Sequence, residues 1–248
     1  MSDTQIPKTH RALLVAVDAE AYSERNTNSQ YRLQSSLLGL LDAAATAVGL
    51  DRLQWLLQPQ GDGELAAIPQ GHNEQLVVDS FVHELDKHLT VYNEERLPEA
   101  RMRLRIAMHF GVAIPAPNGY AGQAPVDVCR ILGSDALRDA LAADPSANLA
   151  LALSNSLYEE LVLGNLTSLR PEDFEACDIV AKKFQGRAWI RVPRRQYSAR
   201  PSAAHQRSSE HGRSHQRAQD PQQATVINHI SNAEIGVVGI QNNFGGAR

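Results

Sequence analysis

Only two cysteines, Cys129 and Cys177, occur in the 248 residues of this chain. Each stands alone in an apolar stretch, which excludes a disulfide framework and fits a reducing compartment. Long apolar runs are also missing. Runs such as Ala12 to Val17 are far shorter than the ~20 residues a membrane-crossing helix needs. Met1 to Arg11 is polar and offers no apolar core for a secretory leader. Charge of one sign is lacking too: 24 Lys and Arg stand against 28 Asp and Glu, a formal net charge of −4. That balance gives no basic footprint for nucleic acid. These absences predict a cytoplasmic protein with neither a membrane nor a nucleic-acid partner.

What is present is enough apolar material, 43% of residues, to bury one sizeable core. The material is unevenly spread. From Arg194 to Gln223 there is no Ile, Leu, Val or Phe, so burial there cannot offset the entropy of ordering. The expected organisation is a flexible N-terminus over 1–10, a folded domain over 11–193, a disordered linker over 194–223 and an apolar tail over 224–248.

Inside the domain the apolar pattern alternates between strand and helix periods. Leu13 to Val17 reads as a buried strand. Leu33, Leu37, Leu38, Leu41, Ala44, Ala45 and Val48 lie at helical spacing. Leu53 to Gln58 and Glu64 to Ile68 flank Gly61-Asp62-Gly63, whose turn chemistry predicts a hairpin. Leu76, Val77, Phe81, Leu85, Leu89 and Tyr92 mark a second helix. Leu104, Ile106, Met108 and Phe110 alternate with Arg103, Arg105, Ala107 and His109 along one strand. A helix is expected from about Pro125 to Ala142, then a strand over Leu149 to Leu153 and a short helix capped by Ser154. Two last strands, Cys177 to Phe184 and Arg187 to Val192, are expected to turn at Gln185-Gly186. The order argues an α/β domain with a mixed sheet, made partly antiparallel by the Gly-Asp hairpin, and with helices packed on it.

Two aspartates sit at strand edges of this plan, Asp18 after the first apolar run and Asp62 in the hairpin. Were those strands neighbours, the carboxylates would converge on a site suited to Mg²⁺ and a triphosphate. Either one alone also serves simply as a turn former. His109 reads as structural, and the two cysteines as inert core residues.

These motifs resemble the catalytic domain of class III nucleotidyl cyclases over roughly residues 11–193. Val17-Asp18-Ala19-Glu20-Ala21-Tyr22-Ser23 resembles that family's first metal segment and Gln60-Gly61-Asp62-Gly63 its Gly-Asp hairpin. Leu104 to Gly111 resembles its strand ending in His-x-Gly. Arg130 falls where the family has its transition-state arginine, and Lys183, six residues before Trp189, matches its phosphate lysine by spacing. The resemblance implies a ferredoxin-like, palm-type core and two Mg²⁺ or Mn²⁺ ions held by Asp18 and Asp62. It further implies phosphates cradled by the turn through Ala19, Tyr22 and Ser23, and a nucleoside triphosphate cyclised by a homodimer that supplies Arg130 in trans. The chain departs from the family pattern in four places, one of them near Gly119 and Tyr120, where the acidic base-reading partner would fall and no carboxylate stands. Val126 stands where an asparagine orients the ribose, and Gln58 where purine-specific members carry a base-reading lysine. Ala21 stands where the first turn has glycine. The hairpin lacks the paired glycines and the acidic-acidic-aromatic run of diguanylate cyclases.

The tail, Ala224 to Phe244, is rich in β-formers and Asn, has no Pro, and carries a single acid, Glu234. Such segments stack in register as cross-β. Val238-Gly239-Ile240-Gln241-Asn242 resembles the second half of the RIP homotypic interaction motif and of related bacterial amyloid-signalling motifs. That resemblance implies pairing with itself or with a like segment on another protein. Two functions stay open at this point: a cyclase that assembles through its tail, or a cyclase-derived adaptor without turnover.

Overall fold

The computed structural model describes residues 10–69, 73–181 and 184–193. Lys183, the linker and the tail motif Val238 to Asn242 lie outside them. Thirteen elements carry the fold: β1 His10–Ala19, α1 Thr27–Ala47, β2 Leu56–Gln60, β3 Gly63–Pro69, α2 Val82–Glu94, β4 Leu104–Ala116, β5 Gly119–Ala121, α3 Gln123–Leu132, α4 Asp135–Ala143, β6 Leu149–Ser154, α5 Asn155–Tyr158, β7 Glu175–Ala181 and β8 Phe184–Arg191. The strands form one mixed sheet in the order β2-β3-β1-β4-β6-β8-β7, with β5 folded back on β4. Only β4 and β6 run parallel; the other pairings are antiparallel.

Strand alternation gives the sheet two unlike faces. Leu13, Val15, Val17, Leu104, Ile106, Met108, Leu149, Leu151 and Leu153 form one face with the buried sides of α1 and α2. Ala12, Ala16, Ala67, Ala107, Ala150 and Ala152 line the other, under Val128 and Ile131 of α3 and Leu137 and Leu141 of α4. Large residues fill the first layer. The second face is paved with alanine and packs helices over shallow ground. A Leu→Ala change at Leu151, fully buried, belongs to the class that costs about 2–5 kcal/mol.

Three expectations are corrected. The helix expected from Pro125 to Ala142 is two helices, because Gly133 ends α3 and the Ser134 hydroxyl accepts the Leu137 N–H at 3.4 Å to begin α4. The final hairpin does not turn at Gln185-Gly186, since Ala181 pairs with Phe184 and Gly186 stays inside β8 opposite Ile179. Strand β5 is additional; three residues carry too little pattern to announce a strand. Among the described residues no helix is long and apolar enough to cross a membrane.

Candidate active site

Asp18 is the next-to-last residue of β1, with Gly63 of β3 opposite on one side and Arg105 of β4 on the other. The hairpin presses directly on β1. A Cβ on Gly63 would lie 1.8 Å from the Val17 carbonyl oxygen, so only glycine permits this approach. The Ala19 N–H donates to the Asp62 carbonyl at 2.9 Å. Asp18 and Asp62 therefore converge at one corner of the sheet. By alternation the Asp18 side chain shares the alanine face with Leu14 and Ala16.

Two ion pairs flank this corner, the first of them between β1 and β4. Arg105 donates from Nε to Asp18 Oδ1 at 2.8 Å and from Nη2 to Oδ2 at 2.7 Å, with both side chains 14% exposed. Glu20 pairs with Arg103 Nη1 at 3.1 Å. Arg103 also donates to the carbonyls of Ala147, Leu141 and Asp144, tying the end of α4 to the turn after β1. Burial raises the Asp18 carboxyl above its usual range and the Asp62 charge adds to the rise, while Arg105 opposes both.

The turn after β1 is held from α1. Gln34 Nε2 donates to Tyr22 Oη at 2.6 Å and to the Gly61 carbonyl at 2.8 Å, bridging the turn and the hairpin. Gln30 Nε2 donates to the Tyr22 carbonyl at 3.2 Å. Ala21 takes the left-handed conformation, φ 54° and ψ 30°, where the family pattern has glycine. The N–H of Ala19 is engaged by Asp62 and that of Glu20 by the Arg103 carbonyl. Ala19 is thus not placed to cradle a phosphate through its N–H. Ala21, Tyr22 and Ser23 donate none of the described backbone bonds.

Gln58 lies on β2 with its side chain across Gly119; a Cβ there would meet Gln58 Oε1 at 2.1 Å. The Tyr120 hydroxyl donates to the Leu56 carbonyl, closing β5 over β2. The two regions that the family pattern uses to read a base are thus side by side, with a carboxamide and no charge. Arg130 is in the last turn of α3, its Nη1 3.5 Å from Asp127 Oδ1. Asp127 also accepts from Gln123 Nε2 at 2.6 Å. Val126, one turn before Arg130, is 43% exposed. The Gln60 side chain lies near the Cys129 thiol, whose pKa burial raises and Gln60 lowers, so α3 runs beside the hairpin.

Among the described residues no group of three or more His, Cys, Asp or Glu side chains is placed to hold a metal ion. Two hard carboxylates at one corner fit Mg²⁺ or Mn²⁺ only where water and phosphate oxygens complete the shell. A cleft of about 870 Å³ opens beside the same turn, lined by Glu20, Ala21, Arg25, Arg32, Tyr92 and Arg96 among others. It includes neither Asp18 nor Asp62, so it is not the corner where the carboxylates meet.

Sequence reasoning missed Arg105 as the partner of Asp18 and Gln34 as the bridge. The alternation of Arg103 and Arg105 with apolar residues was the available signal for the first. Nothing local marks the second.

No protein-family model and no curated protein sequence matches the chain. Solved structures do. An adenylate/guanylate cyclase/hydrolase from Silicibacter pomeroyi aligns at 19% identity over 75% of this chain and 99% of its own, with a TM-score of 0.55. Two structures of a bacterial light-regulated adenylyl cyclase align at 12% and 13% identity, over 74% and 75% of this chain and 90% and 52% of theirs, with TM-scores of 0.50 and 0.51. The chain has the fold of a class III nucleotidyl cyclase catalytic domain. In that cyclase fold, Asp18, Asp62, Tyr22 and the hairpin meet at one corner, Gln58 lies on the adjoining edge strand, and Arg130 stands on the helix over the alanine face.

Proposed function

We propose that the domain is a divergent class III nucleotidyl cyclase, which converts a nucleoside triphosphate into a cyclic nucleotide and pyrophosphate as a homodimer. The observation that carries this reading is the convergence of Asp18 and Asp62 at one corner of a cyclase fold, enforced by the close approach of Gly63 to β1.

In the reaction the ribose 3′-oxygen bonds to the α-phosphorus, the bond from that phosphorus to the bridging oxygen breaks, and pyrophosphate leaves. The 3′-hydroxyl gives up its proton. Asp18 and Asp62 would hold Mg²⁺ or Mn²⁺, which when bound lowers the pKa of that hydroxyl and offsets triphosphate charge. Tyr22 and Ser23 present backbone N–H groups to phosphate oxygens. Arg130, from the second subunit of a dimer, would face the α-phosphoryl oxygens and stabilise the charge that builds there. Lys183 would add a phosphate contact, and Gln58 would meet the base. The tail, through Val238 to Asn242, would cluster domains or recruit a protein with a like motif, raising the local concentration of the dimerising unit. A reducing cytoplasm suits the two free thiols.

The competing reading is an adaptor that keeps the fold and assembles through the tail without turnover. It is favoured by Val126, an exposed apolar side chain where the ribose needs a hydrogen-bond partner.

The deciding experiment gives the full chain Mn²⁺ with ATP, GTP, CTP or UTP, beside its Asp62→Ala variant, and identifies products by mass spectrometry. A cyclic nucleotide that disappears in Asp62→Ala is the expected result and names the base. No product from any nucleotide, with dimer present, would discard the cyclase in favour of the adaptor.

A further inference from the structure

The cleft beside the turn after β1 gathers arginines that no acid neutralises. Arg25, Arg32, Arg96 and Arg101 all line it, and none forms an ion pair among the described residues. Three of them are held by carbonyl oxygens instead. Arg25 donates from Nη1 to the Glu99 carbonyl at 3.3 Å and from Nη2 to that of Arg101. Arg101 donates from Nε to the Arg96 carbonyl at 3.2 Å. Arg96 donates from Nη1 to the Tyr92 carbonyl and lies over the Tyr92 ring, 3.6 Å from its centre. A carbonyl orients a guanidinium but carries no charge to cancel it. The Arg25 Nε is also buried with no hydrogen-bond partner among the described residues. Of the three acids on the wall, Glu20 is taken by Arg103, which leaves Glu24 and Glu99 against four guanidiniums. The cleft is thus positive on a chain whose net charge is −4, and its volume of about 870 Å³ is that of a small-molecule site.

We propose that this cleft is a second ligand site, which binds a small anion carrying two or more phosphoryl groups. The guanidinium fork matches phosphoryl oxygens in a two-pronged geometry, which makes arginine the side chain suited to such a group. One phosphate is too small to use the cleft. Arg25 and Arg32 are seven residues apart, about 10 Å along a helix, so only a chain of phosphoryl groups meets both. The site lies on the other side of the sheet from the metal corner. Leu33, on its wall, belongs to the layer of large residues, whereas Asp18 shares the alanine face. Two sources have this chemistry: inorganic diphosphate, and a nucleoside diphosphate whose base would meet the Tyr31 ring, 74% exposed at the cleft. The inference stands apart from the cyclase reading, since it needs no metal, no dimer and no turnover.

The test is calorimetric titration of the full chain at low salt, with a chelator present so that no divalent ion contributes. The probes are inorganic phosphate, diphosphate, tripolyphosphate and ADP. Diphosphate should bind at least about tenfold more tightly than phosphate, and Arg32→Gln with Arg96→Gln in one chain should weaken it by about tenfold or more, as expected when bonds to a charged group are lost. Arg32→Gln alone, at a side chain with no partner to lose, carries the test should the double variant melt early. Arg138→Gln, at an exposed arginine of α4 paired with Asp135, should change the affinity by less than about twofold. Arg130→Ala, which marks the candidate active site, should leave it equally unchanged. ADP binding tighter than diphosphate assigns the nucleotide as the source; ADP binding no tighter assigns the inorganic anion, and either supports the site. Diphosphate affinity kept by the Arg32 and Arg96 variants, or lost in Arg130→Ala or Arg138→Gln, would overturn it. So would the absence of binding by any of the four anions up to millimolar concentration.

Discussion

The Gln34 side-chain amide reaches from α1 to the Gly61 carbonyl at 2.8 Å, and the same nitrogen lies 2.6 Å from Tyr22 Oη. One residue on a helix thereby sets the spacing between the two segments that carry the candidate metal aspartates. Gln34→Ala should cost about 1 kcal/mol in urea unfolding, the net worth of a typical intramolecular hydrogen bond. It should also raise the nucleotide KM more than it lowers kcat, because the hairpin and the turn lose their common tether but keep their chemistry. Unchanged KM and unchanged stability would show that the bridge sets nothing.

Ala21 has a left-handed backbone, φ 54°, a conformation that costs an L-residue with a Cβ roughly 1–2 kcal/mol. Ala21→Gly removes the penalty and returns part of the gain as extra freedom in the unfolded chain. The expected net is a melting temperature higher by about 2 °C, from the lower part of the range for a domain of this size. A lower melting temperature would mean that the Ala21 methyl makes contacts worth more than the strain.

His109 is a pH reporter for the alanine face. Its Nδ1 is buried with no hydrogen-bond partner among the described residues, and burial lowers its pKa below the usual 6.5, with Asp127 opposing. Below pH 6.5 the unfolded chain takes up a proton at His109 that the folded chain resists. In that window the unfolded state binds more protons, so stability rises with pH. This contribution is complete above 6.5 and is lost as pH falls towards the depressed folded value. His109→Gln removes the site, so its stability should fall less than that of the wild type between pH 7.5 and 5.5 in urea unfolding. Parallel losses would show that His109 titrates alike in both states.

How much of this was legible in the sequence follows from how local each cause is. Asp18, Asp62 and the hairpin were readable because strand alternation and Gly-Asp turn chemistry act over a few residues. The mixed sheet followed from element order. The break between α3 and α4 was written in Gly133-Ser134, a helix stop followed by a helix cap, but the apolar stripe runs across it and hides it. The last hairpin was misplaced because Gly186 suggested a turn, whereas pairing of β7 with β8 places it inside a strand. The Asp18–Arg105 pair depends on the register of strands 87 residues apart, which no window of sequence contains. Lys183 and the tail motif remain matters of sequence.

The α3 helix offers a test of turnover. Arg130 is one helical turn after Val126, the exposed residue at the ribose position of the family pattern. Arg130→Ala should lower kcat by about a hundredfold or more with a smaller change in KM, as befits a group that acts on transition-state charge. Val126→Asn should raise kcat/KM, because under the proposed cyclase reading a hydrogen-bonding side chain would then face the ribose. Turnover assays with product quantification decide both; an Arg130→Ala enzyme at full rate would remove that residue from the site.

Beneath the hairpin, Arg52 and Glu64 form a pair that is almost wholly buried, 7% and 3% exposed, with bonds of 2.7 and 2.9 Å. Arg52 also donates from Nε to Asp42 at 2.6 Å and lies over the Trp55 ring. Glu64 follows Gly63 directly, so this pair anchors the strand that delivers Asp62. Glu64→Ala leaves a guanidinium in a dry place with only the exposed Asp42 as acidic partner, and should cost about 3 kcal/mol or more. Arg52→Leu in the same chain removes the stranded charge and restores apolar contact with Trp55, so the double variant should be more stable than Glu64→Ala alone. Equilibrium urea unfolding of the wild type, both single variants and the double variant measures the coupling. If the double variant is no more stable than Glu64→Ala, the cost of the single change lies in lost packing around Glu64 and not in an uncompensated charge.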